Sequence, residues 1–167
     1  MLIIRPLRPK LKEAKRIMDQ KQSPIILGCD HAAVTLKDLL KTYLVDTAGI
    51  EVKDVGTFST DAVDYPDFAI QVAQAVSKGR YNRGILICGT GIGMSMAANR
   101  FPHVRAALCN DIFAAKMSRR HNDANILVLG GRVIGDVLAV EILKTWLETP
   151  FEGGRHQSRL EKFDCVC

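Results

Sequence analysis

A cysteine followed by three closely spaced glycines, Cys88-Gly-Thr-Gly-Ile-Gly93, is the stretch of this 167-residue chain best suited to chemistry. Without a Cβ at Gly89, Gly91 or Gly93, successive backbone N–H groups can point at one spot and hold an oxyanion. The continuously apolar residues 85–87 before it suit a strand buried on both faces, and the residues after Gly93 suit a helix. A helix start adds positive potential there. At the edge of that field Cys88 is expected to favour the thiolate and to serve as a base or nucleophile near neutral pH.

Sharper glycine motifs fail on this stretch. Counting from Gly89, a P-loop would need Gly-Lys where Met94-Ser95 stand. A cysteine-phosphatase loop would need an arginine where Met94 stands. A dinucleotide fingerprint needs two residues between its last glycines, and only Ile92 separates Gly91 from Gly93. Asp111 could still act as the ribose-binding acid of a nucleotide-binding module. Other residues able to do chemistry are Asp30 and His31, Asp64 and Tyr65, Asn110, Arg132, His121 with Asn122, and the arginines Arg155 and Arg159, four apart in the tail. A second enzyme reading makes Cys88 a hydrolase nucleophile with His121 as base and Asp30 orienting it.

The elements that must carry these residues alternate strand and helix. Residues 25–29 read as a first buried strand and 34–45 as a helix with Leu36, Leu39, Leu40 and Leu44 at spacings of three and four. Residues 50–55 alternate as a half-buried strand, and a turn-rich loop leads to Asp67 as cap of a helix over 68–77. Residues 104–109 give a fourth strand, Asp111 opens a helix to about residue 120, and 126–129 give a fifth strand. A last long helix over 134–147 offers Val137, Val140, Ile142, Leu143 and Trp146 as its apolar face. The alternation argues for a three-layer α/β/α sandwich on a five-stranded parallel, Rossmann-like sheet with right-handed crossovers. Function then belongs at the strands' carboxyl ends, with His121 expected to enter from the polar loop before strand five. Cys29, Cys109, His103, His156, Arg105, Arg119 and Arg120 read as structural or surface residues.

The net charge of +5 lies entirely in residues 1–22, where seven basic side chains face two acidic ones; the remainder carries 16 of each sign. The globular part therefore has no general attraction for nucleic acid. The organisation expected is a basic N-terminal extension over 1–22, with a short amphipathic helix, and one α/β domain over 23–167 that ends in a tail helix. Five cysteines, three of them closing apolar runs, do not make a disulfide framework, and Cys165 and Cys167 lack a second pair for a metal. No stretch has the length of a membrane span, and a cytoplasmic location is expected.

Taken together, Gly28-Cys-Asp-His31, Asp64-Tyr-Pro66, Ile87-Cys-Gly-Thr-Gly-Ile-Gly93, Arg120-His-Asn-Asp-Ala-Asn125 and Gly153-Gly-Arg-His-Gln157 closely resemble the signatures of the type B ribose-5-phosphate isomerases. These belong to a wider sugar-phosphate isomerase family, and the likeness covers about residues 24–160. The resemblance implies interconversion of ribose 5-phosphate and ribulose 5-phosphate through an enediolate, in the pentose phosphate pathway. It makes Cys88 the proton-transfer base and gives Thr90, Gly89, Gly91 and Gly93 the enediolate. His121 would open the furanose ring, with Asp30 and Tyr65 beside the ring oxygen and Asn122 on sugar hydroxyls. His31, Arg132, Arg155 and Arg159 would take the phosphate, the last two from a partner subunit. It further implies a homodimer or homotetramer with sites at the interface, and no metal or cofactor. Six-carbon substrates such as allose 6-phosphate or galactose 6-phosphate remain the alternative within the family.

Overall fold

The computed structural model describes residues 23–164; the expected N-terminal helix and the pair Cys165 and Cys167 lie outside them. Five parallel strands, β1 (Ile25–Cys29), β2 (Val52–Asp54), β3 (Arg83–Cys88), β4 (Ala106–Leu108) and β5 (Ile126–Gly130), form one sheet in the order β2-β1-β3-β5-β4. Six helices connect and flank them: α1 (Val34–Thr42), α2 (Tyr65–Ser77), α3 (Ile92–Ala98), α4 (Ile112–Asn122), α5 (Asp136–Glu148) and α6 (Arg155–Asp164). This is the α/β architecture expected. The three central strands are buried on both faces, and β2 and β4, at the edges, shrink to three residues each.

Alternation along the central strands sends side chains to two cores. Ile25, Leu27, Cys29, Ile85, Ile87, Leu127 and Leu129 pack with α1, α5 and Ala115 of α4. Ile26, Leu86, Cys88, Ile126 and Val128 pack with α2 and α3. Each fully buried Leu or Ile contributes about 1.5–3 kcal/mol, which fixes the strand register, since a one-residue slip would exchange the two faces. Gly28 and Gly84 let α2 lie close on the sheet: a Cβ at Gly84 would stand 2.7 Å from Val72 Cγ1, and one at Gly28 3.0 Å from Val72 Cγ2.

Some element boundaries differ from expectation. Helix α2 starts at Tyr65, three residues before the expected start, because Pro66 falls in its first turn, where a missing N–H and a fixed φ are tolerated. Asp67 is therefore a first-turn acid and not the cap. Helix α5 buries Ala139, Ile142, Leu143, Trp146 and Leu147, while Val137 is 80% exposed, one residue off the stripe. The loop between β2 and α2 is pinned from below by Lys37, a fully buried lysine whose Nζ donates to Thr57 O at 2.9 Å and lies 3.2 Å from Asp54 Oδ2. That pinning sets the path of the chain into Tyr65.

Candidate active site

The strand-to-helix turn after β3 has the geometry its glycines suggest. Cys88 ends β3 in a buried position, and its Sγ accepts the Gly91 N–H at 3.1 Å. Gly91 has φ +79°, and a Cβ there would overlap Leu108 Cδ1 and come within 3.0 Å of Leu129 O. Only glycine meets both demands, and the turn it permits aims its N–H at the sulfur. Thr90 is exposed beside it, its Oγ1 3.4 Å from the Ile92 N–H.

Three further loops close on this turn. Tyr65 lies against Gly93 so tightly that a Cβ there would sit 2.5 Å from its Cζ. Arg132, just past β5, donates its backbone N–H to Gly89 O at 3.0 Å and runs its Cδ along Gly89, where Ala32 also packs. From the end of β1, the backbone N–H of buried Asp30 bonds Ile87 O, and its Oδ1 accepts the Ala32 N–H at 3.0 Å, fixing the short 3-10 turn that presents His31. His31 Nδ1 accepts the Val63 N–H at 3.1 Å. A neutral imidazole that accepts at Nδ1 carries its proton on Nε2, so His31 offers a donor to an anion. One end of the sheet thus gathers Asp30, His31, Tyr65, Cys88, Gly89, Thr90, Gly91, Gly93 and Arg132. They lie at the junction of β1 and β3, where the strand order reverses direction, as ligand sites of such sheets do.

His121, Asn122, Arg155 and Arg159 are not there. Helix α4 leaves the carboxyl end of β4 and runs back across the sheet, so its last residues, His121 and Asn122, lie next to the amino end of β5. Asn125 O bonds Gly84 N at that end, while Cys88 pairs with Gly130 at the other. Four residues of strand separate the two levels, about 13 Å at ~3.3 Å per residue. α4 also packs on the sheet face opposite the Cys88 side chain. The expectation that His121 enters at the strands' carboxyl ends is thereby corrected, because a residue preceding a parallel strand stands at its amino end. Asn110 and Asp111 do lie past the carboxyl end of β4, but Asp111 Oδ1 caps α4 through the Ala114 N–H at 2.7 Å. That bond occupies the acid the nucleotide reading needed, and within one chain the Cys88 and His121 pair of the hydrolase reading does not form.

The amino-terminal end has its own polar cluster. Helix α6 carries Arg155 and Arg159 exposed, one turn apart, and tucks His156 and Leu160 inward. His156, expected at the surface, is 6% exposed and stacks on His121 with ring centroids 4.2 Å apart and planes 9° from parallel. Glu152 Oε2 lies 3.7 Å from His121 Nε2 and 3.6 Å from His156 Nε2. Arg120 holds Oε1 through Nε at 2.6 Å and through a second guanidinium nitrogen. That hydrogen bond is the largest influence keeping the Glu152 carboxyl below the usual range. Burial, then the charges of His121, Arg155 and Arg159, lowers His156. Arg119, also expected at the surface, is buried against Trp146 and donates to Asp123 Oδ1 at 2.8 Å. Sequence reasoning passed over His156 and Glu152; the four-residue spacing of His156 and Leu160 on one tail-helix face was the available signal.

Among the described residues the other two thiols, Cys29 and Cys109, are buried and structural. Burial pushes Cys29 up to about 12 and Cys109 up to about 11.

Residues 25–163 match the Ribose/Galactose Isomerase family. The chain is 48% identical over 142 residues to ribose-5-phosphate isomerase B of Escherichia coli, covering 85% of this chain and 95% of that protein. It is 43% identical over 139 residues to a D-erythrulose-4-phosphate isomerase of Pectobacterium atrosepticum, covering 83% and 91%. Among solved structures, a ribose 5-phosphate isomerase from Thermotoga maritima superposes with a TM-score of 0.83 at 52% identity, covering 86% of this chain and 99% of that one.

Proposed function

Because this chain belongs to the ribose/galactose isomerase family, we propose that it interconverts ribose 5-phosphate and ribulose 5-phosphate at sites shared between two copies of itself. Cys88 as thiolate takes the proton from C2 of the open-chain aldose. The electrons of that C–H bond form the C1=C2 bond, and the carbonyl oxygen on C1 becomes the enediolate oxygen. Protonation of O1 and loss of the O2 proton shift the charge along the enediolate, and Cys88 then returns its proton to C1. While Sγ is anionic it draws the Gly91 N–H strongly. Once Sγ is protonated that bond weakens, so the N–H groups of the glycine turn, with Thr90, are left to the new oxyanion at the moment it forms. His31 through Nε2–H, and Arg132, bind the phosphate from the same chain. Anchoring that remote anion holds C1 and C2 against the sulfur.

The observation that carries this reading is the Sγ–Gly91 N–H contact inside a turn that Tyr65, Arg132 and the His31 loop all touch. Ring opening and the rest of the phosphate grip need His121, Asn122, Arg155 and Arg159, which the same chain holds at its far end. A second copy supplies them. Exposed Ile92 and Met96 on α3 and Phe113 on α4 offer apolar surface for that contact. Cys29, Cys88 and Cys109 are free thiols, in keeping with a reducing cytoplasm, and no helix among the described residues is long and apolar enough to cross a membrane.

The test is deuterium at C2 of ribose 5-phosphate. The enzyme should release it to solvent or move it to C1, and Cys88→Ala should bind the sugar phosphate yet do neither. Label that stays at C2 with the wild-type protein defeats the assignment. The similarity to an erythrulose-phosphate isomerase favours testing a second reading, a preference for another chain length. Ratios of kcat/KM on four-, five- and six-carbon aldose phosphates decide between them.

A further inference from the structure

We propose that Glu152 is a positioning residue for ring opening, orienting His121 with its proton on Nε2 so that Nδ1 is the nitrogen free to act on the sugar. The inference rests on the isomerase reading and extends it to a carboxylate with no part in proton transfer between C1 and C2.

Three features of the cluster carry it. Glu152 Oε2 faces His121 Nε2 at 3.7 Å, a charge contact that favours a proton on that nitrogen over Nδ1. Glu152 is held from its other side, because Arg120 bonds its second oxygen and the Glu152 backbone N–H bonds Arg120 O at 3.0 Å. The parallel ring of His156, itself buried, blocks rotation of the His121 ring about its own axis. A base, a carboxylate that orients it and a clamp on the carboxylate are the parts of an oriented imidazole base. The same three side chains have the composition of a zinc site, with ligand atoms within 4.8 Å of one another, but Arg120 holds Oε1 of the carboxylate and its Oε2 meets both imidazole Nε2 atoms directly.

The step it serves balances within the substrate. His121 Nδ1 takes the proton of the anomeric hydroxyl O1, the electrons of that O–H bond complete the C1=O1 carbonyl, and the bond from C1 to the ring oxygen O4 breaks. O4 then takes the proton back from Nδ1. The ring begins and ends neutral, and Glu152 stabilises the imidazolium between.

The experiment compares the two halves of the reaction in Glu152→Gln, which keeps size and backbone contacts. Ribulose 5-phosphate has no furanose form, so exchange of its C1 hydrogen in D2O reports the Cys88 step alone. Turnover of ribose 5-phosphate needs ring opening as well. The variant should lose about ten- to a hundredfold in ribose 5-phosphate turnover, keep C1 exchange within about twofold of wild type, and show the 15N signals of His121 moving from a pure Nε2–H tautomer to a mixture. Unchanged turnover and tautomer overturn the proposal, as does an equal loss of turnover and exchange. His121→Asn without loss on ribose 5-phosphate also overturns it, whereas the isomerase reading fails separately, its signature being wild-type protein without C1 exchange.

Discussion

If each site takes Cys88 from one chain and His121 from another, two dead variants must revive one another. Cys88→Ala spoils the carboxyl-end half of every site and His121→Asn the amino-end half, so each protein alone has no complete site. When equal amounts are co-expressed or allowed to exchange subunits, a given Cys88 half is intact with probability one half, and so is the His121 half brought by its neighbour. About a quarter of sites are then whole, and activity should reach roughly a quarter of wild type, for a dimer or for a tetramer built from such pairs. The prediction follows from the two levels of the sheet. With about 13 Å of strand between them, and the two side chains on opposite faces, no rotamer of His121 reaches Cys88 in its own chain. The assay is coupled turnover of ribose 5-phosphate against the mixing ratio, which should peak at equal amounts. Activity that never exceeds the sum of the separate variants would refute the shared site and require a rearranged α4.

Other consequences are open to direct measurement. Gly91→Ala should lower stability by about 1–3 kcal/mol through its positive φ and abolish turnover by moving the N–H off Cys88; a chemical denaturation curve with an unshifted midpoint contradicts this. Alkylation at pH 8, mapped by mass spectrometry, should leave Cys29 and Cys109 unmodified, since burial pushes their thiols up to about 12 and about 11, while Cys88 reacts and is protected by sugar phosphate. His156 is held below its ordinary value of 6.5, so the unfolded chain binds its proton more readily than the folded one. Its contribution to stability is complete above pH 6.5 and is lost as pH falls further, and melting temperatures between pH 7.5 and 5 should decline less steeply in His156→Phe. An identical slope in that variant would remove His156 as the cause.

Much of this was local and therefore written in the sequence. A two-sided apolar run, a cysteine and three spaced glycines determine a buried strand, a sulfur and a tight turn whose Gly91 N–H meets that sulfur, because backbone conformation depends on the residues at hand. The alternation of strands and helices fixed a parallel sheet in the same way. Even the far placement of His121 was implicit, since whatever directly precedes a parallel strand lies at its amino end. Tertiary structure alone decided that β5 inserts between β3 and β4, which brings Arg132 onto Gly89. It also buried His156 and Arg119, polar residues whose inward placement depends on partners, because Glu152, His121, Asp123 and Trp146 provide them there. Periodicity records which face of an element is apolar, whereas pairing among polar groups depends on which elements meet, and that is settled only when the chain has folded.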